Sequence, residues 1–301
     1  MFSQPDSAFY FAGLEYNLAE ATGNKKYMAA ALNMQGVSFA IRDDYAKAIE
    51  HYNRCLKIDE ELGNNKSIAA SLNNIGIIYK DQGDYAKAID YHTRGLKIYE
   101  ELGNKRGIAN SMGNIGSIYK TQGDYAKAID YYTKSLKIQE DLGNTRGIAA
   151  CLNNIGLIYH SQGDYAKAKD YYTRTLKIDE ELGDKQGITG SLNNIGLIYH
   201  SQGDYAKAID YFARSLNIKE EIGHKIGIAA SLNNIGITYS EQGNLAKAIE
   251  KSTKALSIAQ EIGHVDRIKQ ASNNLWKTYK KLGKHSQALE MHELYIEMRD
   301  S

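Results

Sequence analysis

The sequence predicts an all-α array of stacked, antiparallel helix pairs, and three observations carry that prediction. The 301-residue chain matches itself at a shift of 40 residues, and "LNNIGLIYHSQGDYAKA" occurs twice letter for letter, at 152–168 and 192–208. A fixed period of this size marks a repeat architecture. Within one period the apolar residues recur three and four apart, the spacing of one helix face. Glycine followed by Asp or Asn punctuates each period, as at Gly163-Asp164.

The unit 146–185 shows how each element arises. Ile148, Leu152, Ile155 and Tyr159 line one side of a first helix, at about 100° per residue. Gly163 ends that helix, and the Asp164 carboxylate suits the cap of the next. The second helix carries Tyr165, Ala168, Tyr172 and Leu176 on one face and Tyr171, Ile178 and Leu182 on a neighbouring one, until Gly183. Two apolar faces imply packing both on its partner helix and on the next repeat, because a lone pair cannot bury both. Gly156 and Ala168 are small enough to let two helix backbones approach, and the pair recurs as Gly76/Ala88, Gly116/Ala128, Gly196/Ala208 and Gly236/Ala248.

An aliphatic residue before a small one, an aromatic three residues later, a Gly-Asp-Tyr turn and then Ala with Tyr or Phe resemble the tetratricopeptide repeat. The 40-residue period exceeds that family's usual one, and the only proline is Pro5. In this the chain is similar to the longer repeats of Pins/LGN adaptors and of bacterial signalling proteins with tetratricopeptide regions. The resemblance implies a right-handed superhelical solenoid with the first helices lining its concave surface. The expected organisation is one domain over 1–301: a leading unpaired helix within 6–25, six 40-residue repeats over 26–265 and a degenerate terminal repeat over 266–301. First helices are expected near Lys26, Lys66, Arg106, Arg146, Gln186, Ile226 and Arg267. In the last repeat Trp276 replaces the close-approach glycine, and His285 and His292 stand where the second helix usually has aromatics.

Composition removes several function classes. Net charge is +1 at pH 7, with 43% hydrophobic and 10% aromatic residues. That is enough apolar mass for a continuous core, and it leaves no long-range field to draw nucleic acid or an anionic membrane surface. No apolar run reaches the roughly 18 residues of a membrane span, and residues 1–10 do not read as a leader. Cys55 and Cys151 occupy non-equivalent positions, so their spacing indicates neither a disulfide framework nor a zinc site. A cytoplasmic setting is expected. The acidic clusters 59–61, 100–101, 179–181 and 220–221 read as solvated helix ends. No nucleophile–base pair, phosphate loop or metal-ligand cluster is apparent, so no enzyme activity and no cofactor are expected.

The remaining arc of the first helix cannot be core, and the resemblance places it in the groove. It carries Asn33, Asn73, Asn74, Asn114, Asn153, Asn154, Asn193, Asn194, Asn233, Asn234, Asn273 and Asn274. A primary amide offers two donors and an acceptor, the complement of a peptide backbone. Val37, Ile77, Leu157, Leu197 and Ile237 lie between the amides as contacts for apolar side chains, with Ser117 interrupting the row. Lys80, Lys120, His160, His200, Ser240 and Lys280 vary at one flank and would supply selectivity.

The reading is therefore a scaffold holding a protein or peptide segment through an asparagine ladder. A structural role for one or both amides of each pair stays open, because asparagine can equally bond neighbouring backbone and set the stacking angle. The alternative function is a sensory or self-associating segment of a larger bacterial signalling protein, a histidine kinase or cyclase, suggested by a final helix that runs to Ser301 without a stop signal. RNA recognition needs a basic or aromatic groove, which mostly Asn, Ala and aliphatic positions do not provide.

Overall fold

The computed structural model describes residues 4–300, and the side chains of 7–300. Among the described residues there are fifteen α-helices and no strand. Contacts divide the chain into two compact units, Met1–Asn154 and Ile155–Ser301, with the division inside a helix. The first unit holds α1 (Gln4–Ala21), α2 (Lys25–Ile41), α3 (Tyr45–Leu62), α4 (Asn65–Asp81), α5 (Tyr85–Glu101), α6 (Lys105–Thr121), α7 (Tyr125–Asp141) and the start of α8 (Thr145–Ser161). The second holds the rest of α8, α9 (Tyr165–Leu182), α10 (Lys185–Ser201), α11 (Tyr205–Glu221), α12 (Lys225–Glu241), α13 (Leu245–Glu261), α14 (Val265–Lys281) and α15 (His285–Asp300). In each unit sequential helices pack on one another, and first helices of adjacent repeats also touch, α4 on α6 and α12 on α14. The leading helix α1 packs on α2.

The turns are built as their residues dictate. Gly163 and Gly183 have φ of 78° and 65°, a left-handed conformation that glycine adopts without a Cβ penalty. Asp164 then accepts the Lys167 backbone N–H at 3.1 Å, and the Lys167 ammonium bonds its other oxygen at 2.9 Å. Asp44, Asp84, Asp124 and Asp204 repeat the cap. At Asp43 the left-handed position lacks glycine, with φ 58°, and the Tyr45 hydroxyl donates to its carboxylate at 2.9 Å.

The core sits where the glycine of the first helix meets the aromatic of the second. Tyr52, Tyr132, Tyr172 and Phe212 are 1–2% exposed. They lie against Gly36, Gly116, Gly156 and Gly196 so closely that a Cβ at 196 would sit 2.7 Å from Phe212 Cε1. Ile78, Ile118, Ile158 and Ile198 are almost fully buried beside them. In the terminal repeat Trp276 occupies the glycine position and packs on His292 with ring centroids 4.2 Å apart.

A second aromatic layer is only half-buried. Tyr79, Tyr119, Tyr159 and Tyr199 stack on Tyr91, Tyr131, Tyr171 and Tyr211 at 5.4–5.7 Å. Lys87, Lys127, Lys167 and Lys207 cover the first rings at 4.9–5.2 Å, each adding a cation–π attraction.

Two expectations are corrected. The acidic clusters are not uniformly solvated: their glutamates are exposed, whereas Asp59 and Asp179 are 2% and 5% exposed. Asp59 bonds Cys55 Sγ at 3.4 Å and Asn64 at 3.1 Å, and Asp179 accepts from Ser191 at 3.1 Å. Leu182, placed in an apolar stripe, is 41% exposed, because it closes the last turn before Gly183, beyond the reach of the packed layer.

His92 takes the place of the core aromatic. Its Nδ1–H donates to Asn73 Oδ1 at 2.8 Å, its Nε2 is buried without a partner, and burial, then the charge of Lys80, lower its pKa to about 4. Unfolded, it titrates near 6.5. Between these values the unfolded chain binds a proton that the folded chain refuses, so stability falls as pH drops from about 6.5 to 4, by on the order of 3 kcal/mol. Urea unfolding across this window should show that slope, and His92→Phe should flatten it. Separately, Gly196→Ala should lower stability by roughly 1–3 kcal/mol through overpacking. Gly190→Ala, where a Cβ meets nothing within 4 Å, should raise it by about 0.5–1 kcal/mol, both read as shifts in urea midpoint.

Candidate functional site

The asparagine positions come together as an inter-repeat ladder within each unit. In the first, Asn74 Nδ2 donates to Asn33 Oδ1 at 3.1 Å. In the second, Asn234 donates to Asn193 at 2.9 Å and Asn274 to Asn233 at 3.4 Å. Each bond joins residues 41 apart, so the second amide of one repeat reaches the first amide of the repeat before. Where Gly113 removes the receiving amide, Asn154 Oδ1 instead accepts from Lys120 Nζ at 3.0 Å and its Nδ2 donates to the Ala150 carbonyl at 3.0 Å. Asn73, Asn233 and Asn274 are buried, while Asn33, Asn74, Asn114, Asn153, Asn154, Asn193, Asn194, Asn234 and Asn273 are half-buried. Asn73 Nδ2 donates to Ser111 at 2.8 Å.

Each bond leaves part of an amide over: the Nδ2 of Asn33 and Asn193, and the Oδ1 of Asn74 and Asn234. Asn114 and Asn273 make no side-chain hydrogen bond among the described residues, and both face grooves. A groove of about 460 Å³ in the first unit is lined by Asn110, Asn114, Ser117, Ala150 and Asn154. One of about 700 Å³ in the second is lined by Asn234, Ile237, Gln270, Asn273, Lys277 and Lys280.

The other expected positions divide. Ile77 and Val37 are exposed, at 41% and 39%. Leu157 and Leu197 are half-buried and reach the clusters around Tyr172 and Phe212, and Ile237 is half-buried at a groove wall. Lys80 is half-buried. Burial, then the neighbouring Lys80, lower the pKa of Lys120. His160 and His200 lean on Tyr165 and Tyr205 with ring centroids at 5.6 and 5.7 Å, their Nε2 atoms buried and unpartnered. Burial lowers the His160 pKa. Among the described residues no three His, Cys, Asp or Glu gather as metal ligands, and no helix is long and apolar enough to cross a membrane.

Sequence reasoning passed over one series. Positions 59, 99, 139, 179, 219 and 259 read Asp, Tyr, Gln, Asp, Lys and Ala, and all six are buried between helices. Facing them, Gly107, Gly147, Gly187 and Gly227 make room: a Cβ there would fall 2.4–2.9 Å from atoms of Tyr99, Gln139, Asp179 and Lys219. The available signal was variation itself, since neighbouring positions repeat almost unchanged.

This is an all-α repeat array with amide-lined grooves on its first helices. The tetratricopeptide repeat model matches residues 27–101, 105–181, 188–261 and 228–301, and the chain belongs to that family. No curated protein matches it in sequence. Among solved structures it is similar to BtubC (BKLC) from P. vanneervenii, with 22% identity and a TM-score of 0.66 over 74% of this chain and 93% of that one. It is also similar to the apo form of the quorum sensor NprR from B. thuringiensis, with 15% identity and a TM-score of 0.75 over 97% and 82% of the two chains. A third is the Rap conjugation gene regulator of plasmid pLS20 in complex with the Phr* peptide, with 14% identity and a TM-score of 0.62 over 94% and 77%. At these identities the likeness shows the fold.

Losing an inter-repeat amide bond should cost about 1 kcal/mol. Asn234→Ala is therefore expected to lower the urea midpoint measurably, whereas Asn273→Ala should leave it within about 0.5 kcal/mol of the parent.

Proposed function

We propose that the chain is a non-enzymatic scaffold whose grooves hold a protein partner's extended segment by its main chain. The observation that carries this reading is the pair of half-buried, unpartnered groove amides, Asn114 and Asn273. A half-buried groove amide without a protein partner is free to exchange its water for a ligand, and a peptide backbone offers both a donor and an acceptor. The leftover groups of Asn33, Asn74, Asn193 and Asn234 extend the same chemistry, and exposed Ile77 offers an apolar contact beside them. The ladder then has two roles: it sets the spacing of adjacent repeats, and it presents its remaining amide groups to the ligand. The peptide bound by the pLS20 Rap regulator supports a peptide as the partner on this fold. Both cysteines are buried and free, and burial pushes the Cys55 thiol up to about 12, which suits a scaffold without thiol chemistry.

The test is a screen of random peptide pools by fluorescence anisotropy against the parent, Asn114→Ala and Asn273→Ala. Each variant is expected to keep the parent's helical circular dichroism and urea midpoint while losing about fivefold or more in affinity for the peptides the parent selects, in line with a lost hydrogen bond. Unchanged affinity in both variants would remove the amides from recognition.

A further inference from the structure

The exposed apolar surface of this chain is concentrated in its first two helices. Among the described residues eighteen large apolar side chains are exposed, and eight of them lie in α1 and α2. Six of the other ten directly precede the glycine of a turn, as Leu182 precedes Gly183. Helix α1 stands out because it is apolar on two sides. Its inner side is fastened: Ala12 and Ala19 are buried, Phe9 meets Phe39 edge-on with ring centroids 5.1 Å apart, and Arg54 of α3 donates to the Tyr16 hydroxyl at 3.1 Å. Its outer side carries Tyr10, Phe11, Leu14 and Leu18, exposed by 58, 64, 50 and 68%. At about 100° per residue these four share one arc with Ser7, Asn17 and Ala21, none of them charged. A helix that is apolar all round is ordinarily one covered on every side.

The neighbouring helix departs from the repeat in the same direction. Tyr27, Met34 and Ile41 are exposed on α2, where the next repeats have Ser67 and Gly107, Asn74 and Asn114, and Asp81 and Thr121. The face that is amide-lined elsewhere is apolar here, with exposed Val37 on the same arc. At roughly 200 Å² for a fully exposed large side chain, the eight residues present roughly 800 Å² per copy, the share of each partner in a standard protein interface. That exceeds the apolar patch an ordinary monomer leaves uncovered.

The α1 arc also fits itself. Antiparallel packing of two α1 helices about a two-fold axis at Leu14 sets Tyr10 of each copy against Leu18 of the other, with the small Ser7 and Ala21 meeting at the ends. Glu15 and Glu20 then fall opposite Gly13 and Ala8, so no like charges meet, and the two helix dipoles run opposed. A patch complementary to itself is what closed two-fold symmetry requires. We infer that the chain forms an isologous dimer through α1, with the apolar face of α2 flanking the contact. Neither Asn114 nor Asn273 belongs to these helices, so the inference stands independently of peptide binding.

The test is sedimentation velocity of the full chain from about 1 to 200 μM. The parent should move from 33.5 kDa to twice that mass and stop there. Leu14→Glu sets two carboxylates face to face at the axis and should raise the dissociation constant about tenfold or more. Because Leu14 is exposed in the single chain, this variant should keep the parent's helical circular dichroism. A monomeric parent, growth beyond the dimer, or a folded Leu14→Glu chain that dimerises as the parent does overturns the inference. Leu14→Cys gives a positional check that holds even should Leu14→Glu unfold. Cys55 and Cys151 are buried, so mild oxidation should link two copies through residue 14 alone, while Gln162→Cys, at an exposed turn, should stay unlinked. Failure of Leu14→Cys to link, or equal linking by both variants, overturns the α1 contact.

Discussion

Five helix pairs, from α2–α3 to α10–α11, depend on the contact between a glycine on the first helix and a ring on the second, whereas Gly236 faces Ser252 in α12–α13 and Trp276 replaces the glycine in α14–α15. With Gly196 against Phe212, or Gly156 against Tyr172, the ring fills the space a side chain would take, so the two backbones approach until the ring is sealed from water. Isoleucines such as Ile158 and Ile198 then pack to complete burial beside it. The surrounding elements follow: the capped turn sets the angle at which the second helix returns, and the stacked tyrosines with their covering lysines close the half-wet side of the same seam. Substituting His92 for the ring keeps the shape and introduces a polar core, which Asn73 satisfies at one nitrogen only.

A repeat protein must also fix how one pair sits on the next, and here the amides act. A hydrogen bond across 41 residues is directional where apolar contact is not, so it selects one stacking offset among the several that near-identical helices would tolerate. The variable buried positions do the same with different chemistry: a carboxylate facing a hydroxyl at Asp179 and Ser191, an ammonium facing a hydroxyl at Lys219 and Ser231. Each junction thereby differs from its neighbours, although the surrounding sequence hardly does.

On the proposed reading, structure and recognition share atoms. An asparagine that has donated to the preceding repeat still holds an acceptor, and one that has accepted still holds two donors. A ligand lying along such a ladder meets groups already held in place by their inter-repeat bonds, which lowers the entropy lost on binding.

Helix boundaries, turns and the apolar faces were legible in the sequence, because they depend on residues within one period: Gly163 and Asp164 act on their own backbone, and the three-and-four spacing of Leu152, Ile155 and Tyr159 is local; that Gly156 receives the Tyr172 ring was not. Observed first helices begin within two residues of their expected starts. The division of labour among the amides was not legible, since Asn154 differs from Asn234 only through Gly113, 41 residues upstream. Nor could the burial of Asp59 and Asp179 be read beside exposed glutamates of the same cluster. The repeating pattern by itself determined an array of paired helices whose first helices carry an amide-rich arc. The tertiary structure decided which polar groups that array consumes internally and which remain over, because that depends on neighbours a full repeat away, where distance in the chain carries no information about distance in space.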